Sequence, residues 1–412
     1  MDFEDSPEEA QFRQEVYAWL AENAPLKKEG PSSARDDDHG SPQAVAAAKA
    51  WQATKAARGF AQIPWPKEWG GPGGAPIQQV IYNQEEAKFD VPRMYFEIGL
   101  GMCVPTVLTY CDPAFAKPAA ERALKGDEIW CQLFSEPAAG SDSAGVQTKA
   151  VRDGEDWVIN GQKVWTSGAH FCDYGIILTR TDPDAPKHKG LTMFWIDMKD
   201  PAVECRPIKQ MSGASHFNEV YLNDLRVKDS QRIGELNGGW GVAVTTLMFE
   251  RLAVGGGDGG SGPGTEAMMA LARETQLEEG PALQDRAVRE RIAEWHVRAQ
   301  GLKFTTFRTI TALSKGQTPG PEASIGKLVS ANTAQERSDF ALDLQDMAGL
   351  LMGEEATHDG QFQDVFLAIP GLRIAGGTDE ILKNVIAERV LGLPGDARVD
   401  KNVPFKDVPK GG

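Results

Sequence analysis

The sequence predicts an α+β multidomain chain: an N-terminal all-α domain, a middle antiparallel β-barrel domain and a C-terminal four-helix bundle. Three observations carry this expectation. Capped helical periodicity opens the chain; from about residue 128 it gives way to short β-rich runs separated by turn signals; from about residue 240 it returns. The corresponding boundaries are 1–127, 128–236 and 237–400, with a tail over 401–412. A length of 412 residues is more than one hydrophobic core usually serves.

Taken in order, Ser6-Pro7-Glu8-Glu9 reads as a capping box with proline at the first helical position. Phe12, Val16, Trp19 and Leu20 then form one apolar face. Ser41-Pro42 starts a second helix, rich in alanine and lysine, that stops at Gly59. Residues 75–127 keep helical periodicity between prolines. Asp36-Asp37-Asp38-His39 reads as a solvated loop and not as a metal site. In TKAVRDGEDWVINGQKVWTSG, Asp153-Gly154 and Asn160-Gly161 predict turns between short strands. DYGIILTRTD, LTMFWIDM, VECRPI and FNEVYLNDLRV continue to about 227, which makes about seven strands. VAVTTLMFERLAV, segments around 282–316 and 321–353, and a helix after Thr378 supply the bundle. Gly255, Gly257 and Gly260 match a dinucleotide fingerprint formally, but no strand precedes them and no βαβ pattern surrounds them, so a small-residue segment is the better account.

Composition excludes several classes. The chain is 41% hydrophobic and 25% charged, with a formal net charge of −16. Such an acidic protein is a poor partner for nucleic acid, and an anionic ligand must be met by local amides and a few placed cations. No apolar run approaches the roughly 18 residues of a membrane span. The acidic start MDFEDSPEEA lacks the pattern of a signal or transit peptide. Five scattered cysteines without a CxxC pair predict reduced thiols in a cytoplasmic protein and no metal site.

Two stretches point to chemistry. In Trp130–Gly168, the hydroxyls of Ser135, Ser141, Thr166 and Ser167 fall at turns or strand ends, near Trp157 and Trp165. Hydroxyls and open amides beside an indole suit a flat heteroaromatic cofactor, although a hairpin with a buried tryptophan and turn-forming serines explains the same residues. In IAGGTDEILKN, Thr378 is a good N-cap, and Asp379 and Glu380 place negative charge in the first helical turn. Gly376-Gly377 before that helix leave backbone amides open to an anion or cofactor, or form an ordinary turn.

The run Ser135-Glu136-Pro137-Ala138-Ala139-Gly140-Ser141-Asp142, followed by the stretch from Asn160-Gly161 through Trp165-Thr166-Ser167 to Gly168, resembles the acyl-CoA dehydrogenase family. The closing IAGGTDEILKNVIAERVLGLP and the α–β–α order extend this resemblance over essentially the whole chain. It implies FAD as cofactor, with Gln132, Leu133, Phe134 and Ser135 along the flavin, Trp165 and Thr166 flanking it, and Ser167 near its reactive nitrogen. It places Ser141 where the family contacts acyl-CoA, and Gly377, Thr378 and Glu380 next to FAD. Arg273 matches the position that reaches the FAD diphosphate of a neighbouring subunit, and Gln345 and Gly349 match the segment holding the adenosine end. Both of those motifs are eroded: no Phe-Gly follows Arg273, and two of the three glycines around Gly349 are absent.

The implied reaction is α,β-dehydrogenation of an acyl-CoA thioester, for which a carboxylate must take the α-proton. In many members that base precedes the Gly-Thr of the closing motif, where this chain has Gly376. Glu250, with Arg251 beside it, matches the alternative position and is the expected base. Glu136, Asp379 and Glu380 are other candidates, and Glu250 as a plain helix-surface acid remains open. A half-site or non-catalytic subunit of a heteromeric enzyme, and a flavin oxidase or monooxygenase, are the alternative functions. The resemblance implies an electron-transfer flavoprotein as acceptor and either a homo-oligomer or a heterotetramer with a second, similar subunit. A bulky, branched, cyclic or steroid-like acyl group is expected. Lys187-His188-Lys189 reads as a solvated turn, or as a contact to a CoA phosphate.

Overall fold

The computed structural model describes residues 5–27, 39–254, 262–315, 320–321, 323–395 and 400–408. Helices α1 (Pro7–Asn23), α2 (Pro42–Arg58), α3 (Pro76–Glu86), α4 (Val104–Tyr110) and α5 (Pro113–Lys125) form the first part. Ser6 and Glu9 make the reciprocal capping box of α1, and α2 runs from the Ser41 cap to Gly59, whose φ of 86° ends it in the left-handed conformation. Val16 and Leu20 of α1 pack with Trp51, Phe60 and Tyr82, and Phe12 and Trp19 close the same cluster from its edge. A π-turn over Gly99–Cys103 leads into α4.

The middle part is a mainly antiparallel sheet of eight strands: β1 (Trp130–Leu133), β2 (Lys149–Asp153), β3 (Asp156–Ser167), β4 (Tyr174–Arg180), β5 (Leu191–Asp197), β6 (Val203–Pro207), β7 (Phe217–Lys228) and β8 (Arg232–Ile233). The hydrogen-bonded path runs β6-β7-β3-β2-β4-β5-β8, with β1 added on β4. The sheet is mainly antiparallel as expected, with two departures: the β1–β4 pairing and the single β2–β4 pair Lys149–Arg180 are parallel. The turn expected at Asn160-Gly161 is also absent, because β3 continues through it as a bulge against β7. Gly161 is needed there for space. A Cβ on it would meet the Thr148 Cα at 2.8 Å. Asn160 instead pairs with Asp224 by two reciprocal hydrogen bonds of 2.9 Å.

The last part contains α6 (Gly239–Val254), α7 (Thr265–Glu274), a small hairpin of β9 (Gln276–Leu277) and β10 (Gly280–Pro281), α8 (Arg286–Ser314), α9 (Ala323–Gln345), α10 (Gln361–Ile374) and α11 (Asp379–Val385). The second long segment stops at Gln345, short of 353, because Asp346 turns left-handed with φ 51°. Helix α10 lies beyond the helices read from the sequence. It runs through Pro370, whose missing N–H reads locally as a helix break. Residues 255–261, with the glycine fingerprint, and Asp36–Asp38 lie outside the described residues. His39 is half-buried, its ring 4.4 Å from that of Tyr95 and 4.7 Å from that of His216.

One buried charge pair ties the sheet together. Lys163 on β3 is wholly buried and donates to Glu136 Oε1 (2.8 Å), the Phe134 carbonyl (3.1 Å) and the Leu178 carbonyl (2.7 Å). Glu136 also accepts from the amides of Gln147 and Thr148. Replacing Lys163 by methionine leaves a buried carboxylate without its counter-charge, a loss of about 3–5 kcal/mol in comparable cases. The variant is expected to unfold at clearly lower temperature; a melting temperature equal to that of the parent would contradict the assignment.

Candidate active site

Two places gather the residues singled out in the sequence. The first is where β1 and β3 end side by side. The Val164 amide donates to the Ser135 carbonyl at 2.9 Å, which lays Gln132–Ser135 along the last turn of β3. Leu133 and Phe134 are buried, so this segment offers backbone more than side chains. A register shift between Lys163 and Thr166 sets Trp165 in the left-handed region with φ 60°, an outlier for a bulky residue. Its indole is 58% exposed and meets Phe217 edge-on at 6.0 Å. Ser135 and Ser167 are half-buried beside it. Thr166, expected to flank the cofactor, is buried instead, and its carbonyl accepts from Asn218 Nδ2 at 3.0 Å.

The second place is a cleft of about 270 Å³ lined by Gln335, Pro370, Arg373, Ile374, Thr378, Asp379 and Glu380. Its floor is the turn between α10 and α11. Gly376 and Gly377 have φ of 63° and 93°, so the glycine pair is required by the turn itself. Lys327 Nζ donates to the Gly377 carbonyl at 2.6 Å, and Thr378 caps α11 by accepting from the Ile381 amide. Arg373 clamps Asp379 Oδ2 from Nε (2.8 Å) and Nη2 (2.6 Å) and reaches Gln335 from Nη1. Asn332 adds a third donor to the same oxygen. The other oxygen of Asp379 is buried with no hydrogen-bond partner.

The three described carboxylates that were candidates for the base all lie below their ordinary pKa. Burial would raise Glu136, but Lys163 and two amide donors outweigh it. Burial would likewise raise Asp379, and Arg373 with Asn332 overcomes it. Glu380 is held down by its own amide and by Thr378 at the α11 N-terminus. A base at neutral pH needs the opposite shift. Glu250 and Arg251 lie on α6, and their side chains are outside the described residues.

The remaining sites are apart from these two places. Ser141 is exposed on the loop after Glu136, and Arg273 is exposed in the last turn of α7. Gln345 is buried, donating to the Ala341 carbonyl and accepting from Gln363. Gly349 sits against Leu342, whose carbonyl a Cβ would meet at 2.7 Å. Lys187 is buried against Asp142 and Asp400, so it is neither a solvated turn nor available to a phosphate. Among the described residues, no hydrogen bond, ion pair or ring contact joins the Trp165 face to the α10–α11 cleft. Asn332 and Lys327 were not legible as site residues, because 47 and 50 positions separate them from the groups they hold; Arg373 is only six positions from Asp379, but nothing in the local sequence marks it. No group of three or more metal-ligating side chains exists among the described residues.

Sequence models of the acyl-CoA dehydrogenase N-terminal, middle and C-terminal domains match residues 6–127, 131–225 and 237–391. The chain belongs to the acyl-CoA dehydrogenase family, and it is an FAD-dependent oxidoreductase. It is 34% identical to the acyl-CoA dehydrogenase IpdE1 of Mycobacterium tuberculosis over 94% of this chain and 98% of that protein. It is 39% identical to FadE34 of the same organism over 80% of this chain, but the match spans only 44% of FadE34. Among solved structures, the Tcur3481-Tcur3483 steroid ACAD superposes with a TM-score of 0.77 at 25% identity, covering 96% of this chain and all of that one. The ChsE4-ChsE5 complex from Mycobacterium tuberculosis gives the same TM-score and coverage at 26% identity.

The residues present fit FAD. An exposed indole held in a strained backbone, flanked by two hydroxyls, offers a flat ring a face and polar edges. Replacing Trp165 by alanine is expected to weaken FAD binding about tenfold, since aromatic stacking contributes about 0.5–1.5 kcal/mol. Fluorescence titration of the apoprotein measures this, and an unchanged dissociation constant would remove Trp165 from the site.

Proposed function

We propose that the chain oxidises an acyl-CoA thioester to the trans-2-enoyl-CoA, with Glu250 as the base. The observation that carries this reading is the state of the alternatives. Position 376 has no side chain, and Glu136, Asp379 and Glu380 are all held as stable carboxylates by partners they would have to leave. Helix α6, which carries Glu250, packs on the π-turn before α4, where Thr106 and Thr246 share a buried hydrogen bond of 2.9 Å. In this reading the Glu250 carboxylate takes the α-proton, and the amides of the Gly376-Gly377 turn are donors for the thioester carbonyl. Bound FAD supplies the acceptor for the β-hydride. The turn itself is set by Lys327 and by the Arg373–Asp379 clamp, which fix where those amides point.

The acyl group we infer is bulky and polycyclic. Supporting this are the steroid ACAD among the similar structures and the missing side chain at Gly376, which leaves room at the place where a glutamate would project. The electron acceptor in this reading is an electron-transfer flavoprotein.

A second reading, that the chain is one half of a heteromeric enzyme, is favoured by one observation. Met347 and Leu350, in the segment whose glycines are eroded, are 71% and 73% exposed. Two neighbouring apolar side chains in open solvent suit a contact surface, and two similar structures carry two-component names.

Glu250→Gln is expected to keep FAD and lose turnover by about 10²–10⁴-fold, the range that general-base catalysis contributes. Steady-state assay with an artificial acceptor and a panel of acyl-CoAs measures it. Undiminished turnover would move the base elsewhere.

A further inference from the structure

The residues after the helical part were expected to be a tail. Residues 400–408 instead lie along the β4–β5 loop of the middle part. The Phe405 amide donates to the Ala185 carbonyl at 2.9 Å and the Lys406 amide to the Pro183 carbonyl at 3.0 Å. Pro186 and Pro404 form a bridge, and Lys406 pairs with Asp184. Such a run of paired backbone groups is a docked strand-like segment and not a loose end.

Beneath this segment lies Arg180, only 3% exposed and aimed at the loop that follows Glu136. Nη2 donates to the carbonyls of Ala144 (2.6 Å) and Val146 (3.4 Å), and Nη1 to that of Lys187 (2.6 Å). The Phe405 ring covers the guanidinium at 3.7 Å. Burial lowers the Arg180 pKa to about 10, and the ring adds a cation–π contact to the three carbonyl bonds. Lys187 bridges Asp142 on that same loop to Asp400 on the docked segment. Immediately before these ties, Gly140 and Ser141 are exposed. Loop 140–146 is thus held from one side by two cations, and both of those cations are themselves held by residues 400–408.

We propose that residues 400–408 are a strap that positions loop 140–146 for the acyl-CoA substrate, with Phe405 and Asp400 acting through Arg180 and Lys187. This rests on the reading that Ser141 meets the substrate. Phe405 and Asp400 are positioning residues and touch neither substrate nor flavin. Removing the ring uncovers the guanidinium to water, and the two carbonyl bonds that fix Ala144 and Val146 then compete with solvent. The loop samples more conformations, and the substrate meets a site that is only fractionally in its binding form.

The test compares the holoenzyme with its Phe405→Ala and Phe405→Trp variants. For Phe405→Ala, hydrogen exchange by mass spectrometry should show peptides over 140–146 exchanging about tenfold faster. KM for acyl-CoA should rise about tenfold with kcat within twofold, and Phe405→Trp should restore both. Unchanged exchange over 140–146, or equal loss in kcat, overturns the proposal. Ser141→Ala separates the two layers. If it raises KM while Phe405→Ala, despite faster exchange, does not, the strap is uncoupled from substrate and the proposal fails. If neither variant moves KM, the placement of Ser141 at the substrate falls, and the strap's role falls with it.

Discussion

Lys163 has no contact with water, yet its ammonium meets a carboxylate and two carbonyls drawn from two separate segments, 134–136 and β4. A charge so placed is stable only if every acceptor stays where it is, because an unmatched ion inside a protein is far worse than either partner in solvent. Phe134 and Glu136 bracket Ser135, so the pair fixes the residue between them. Lys163 also stands two positions before Trp165, where the strand turns into the left-handed region. The geometry of the exposed Trp165 face therefore depends on a buried residue two positions before it. The same carboxylate anchors Gln147 and Thr148, the far end of the loop that carries Ser141. Glu136 looked like a possible base in the sequence, and its work is structural.

The helical half uses a second charge cluster for a comparable purpose. Two glycines in left-handed conformation make the turn before α11, and a turn of that kind has little side-chain packing of its own. Lys327 and the Arg373–Asp379 clamp replace that packing with directed polar bonds. A side chain at 376 would bear the strain of a positive φ. The carboxylate missing from the closing motif is consistent with a site whose acid comes from α6.

Legibility followed locality. The caps at Ser6, Ser41 and Thr378 and the stop at Gly59 depend on a few neighbouring residues, and the chain folds there as its sequence says. Asn160-Gly161 misled because the glycine answers to Thr148 across the sheet, and not to a local turn. Helix α10 was not read at all, and it runs through Pro370. For the site, the stretch that the resemblance assigns to the flavin stands as one contiguous motif. Lys327, Arg180 and Lys187 were not legible, because they hold groups 50, 36 and 213 positions away, and Arg373, only six positions from Asp379, carries no local mark of its role.

The most direct measurement is the absorbance spectrum of the purified chain alone, followed by anaerobic addition of acyl-CoAs, polycyclic thioesters among them. The account predicts a yellow protein whose flavin band bleaches with a thioester as the α,β-bond is oxidised. A protein that holds FAD and keeps its band unbleached against every thioester, alone and with a second family subunit, would contradict it.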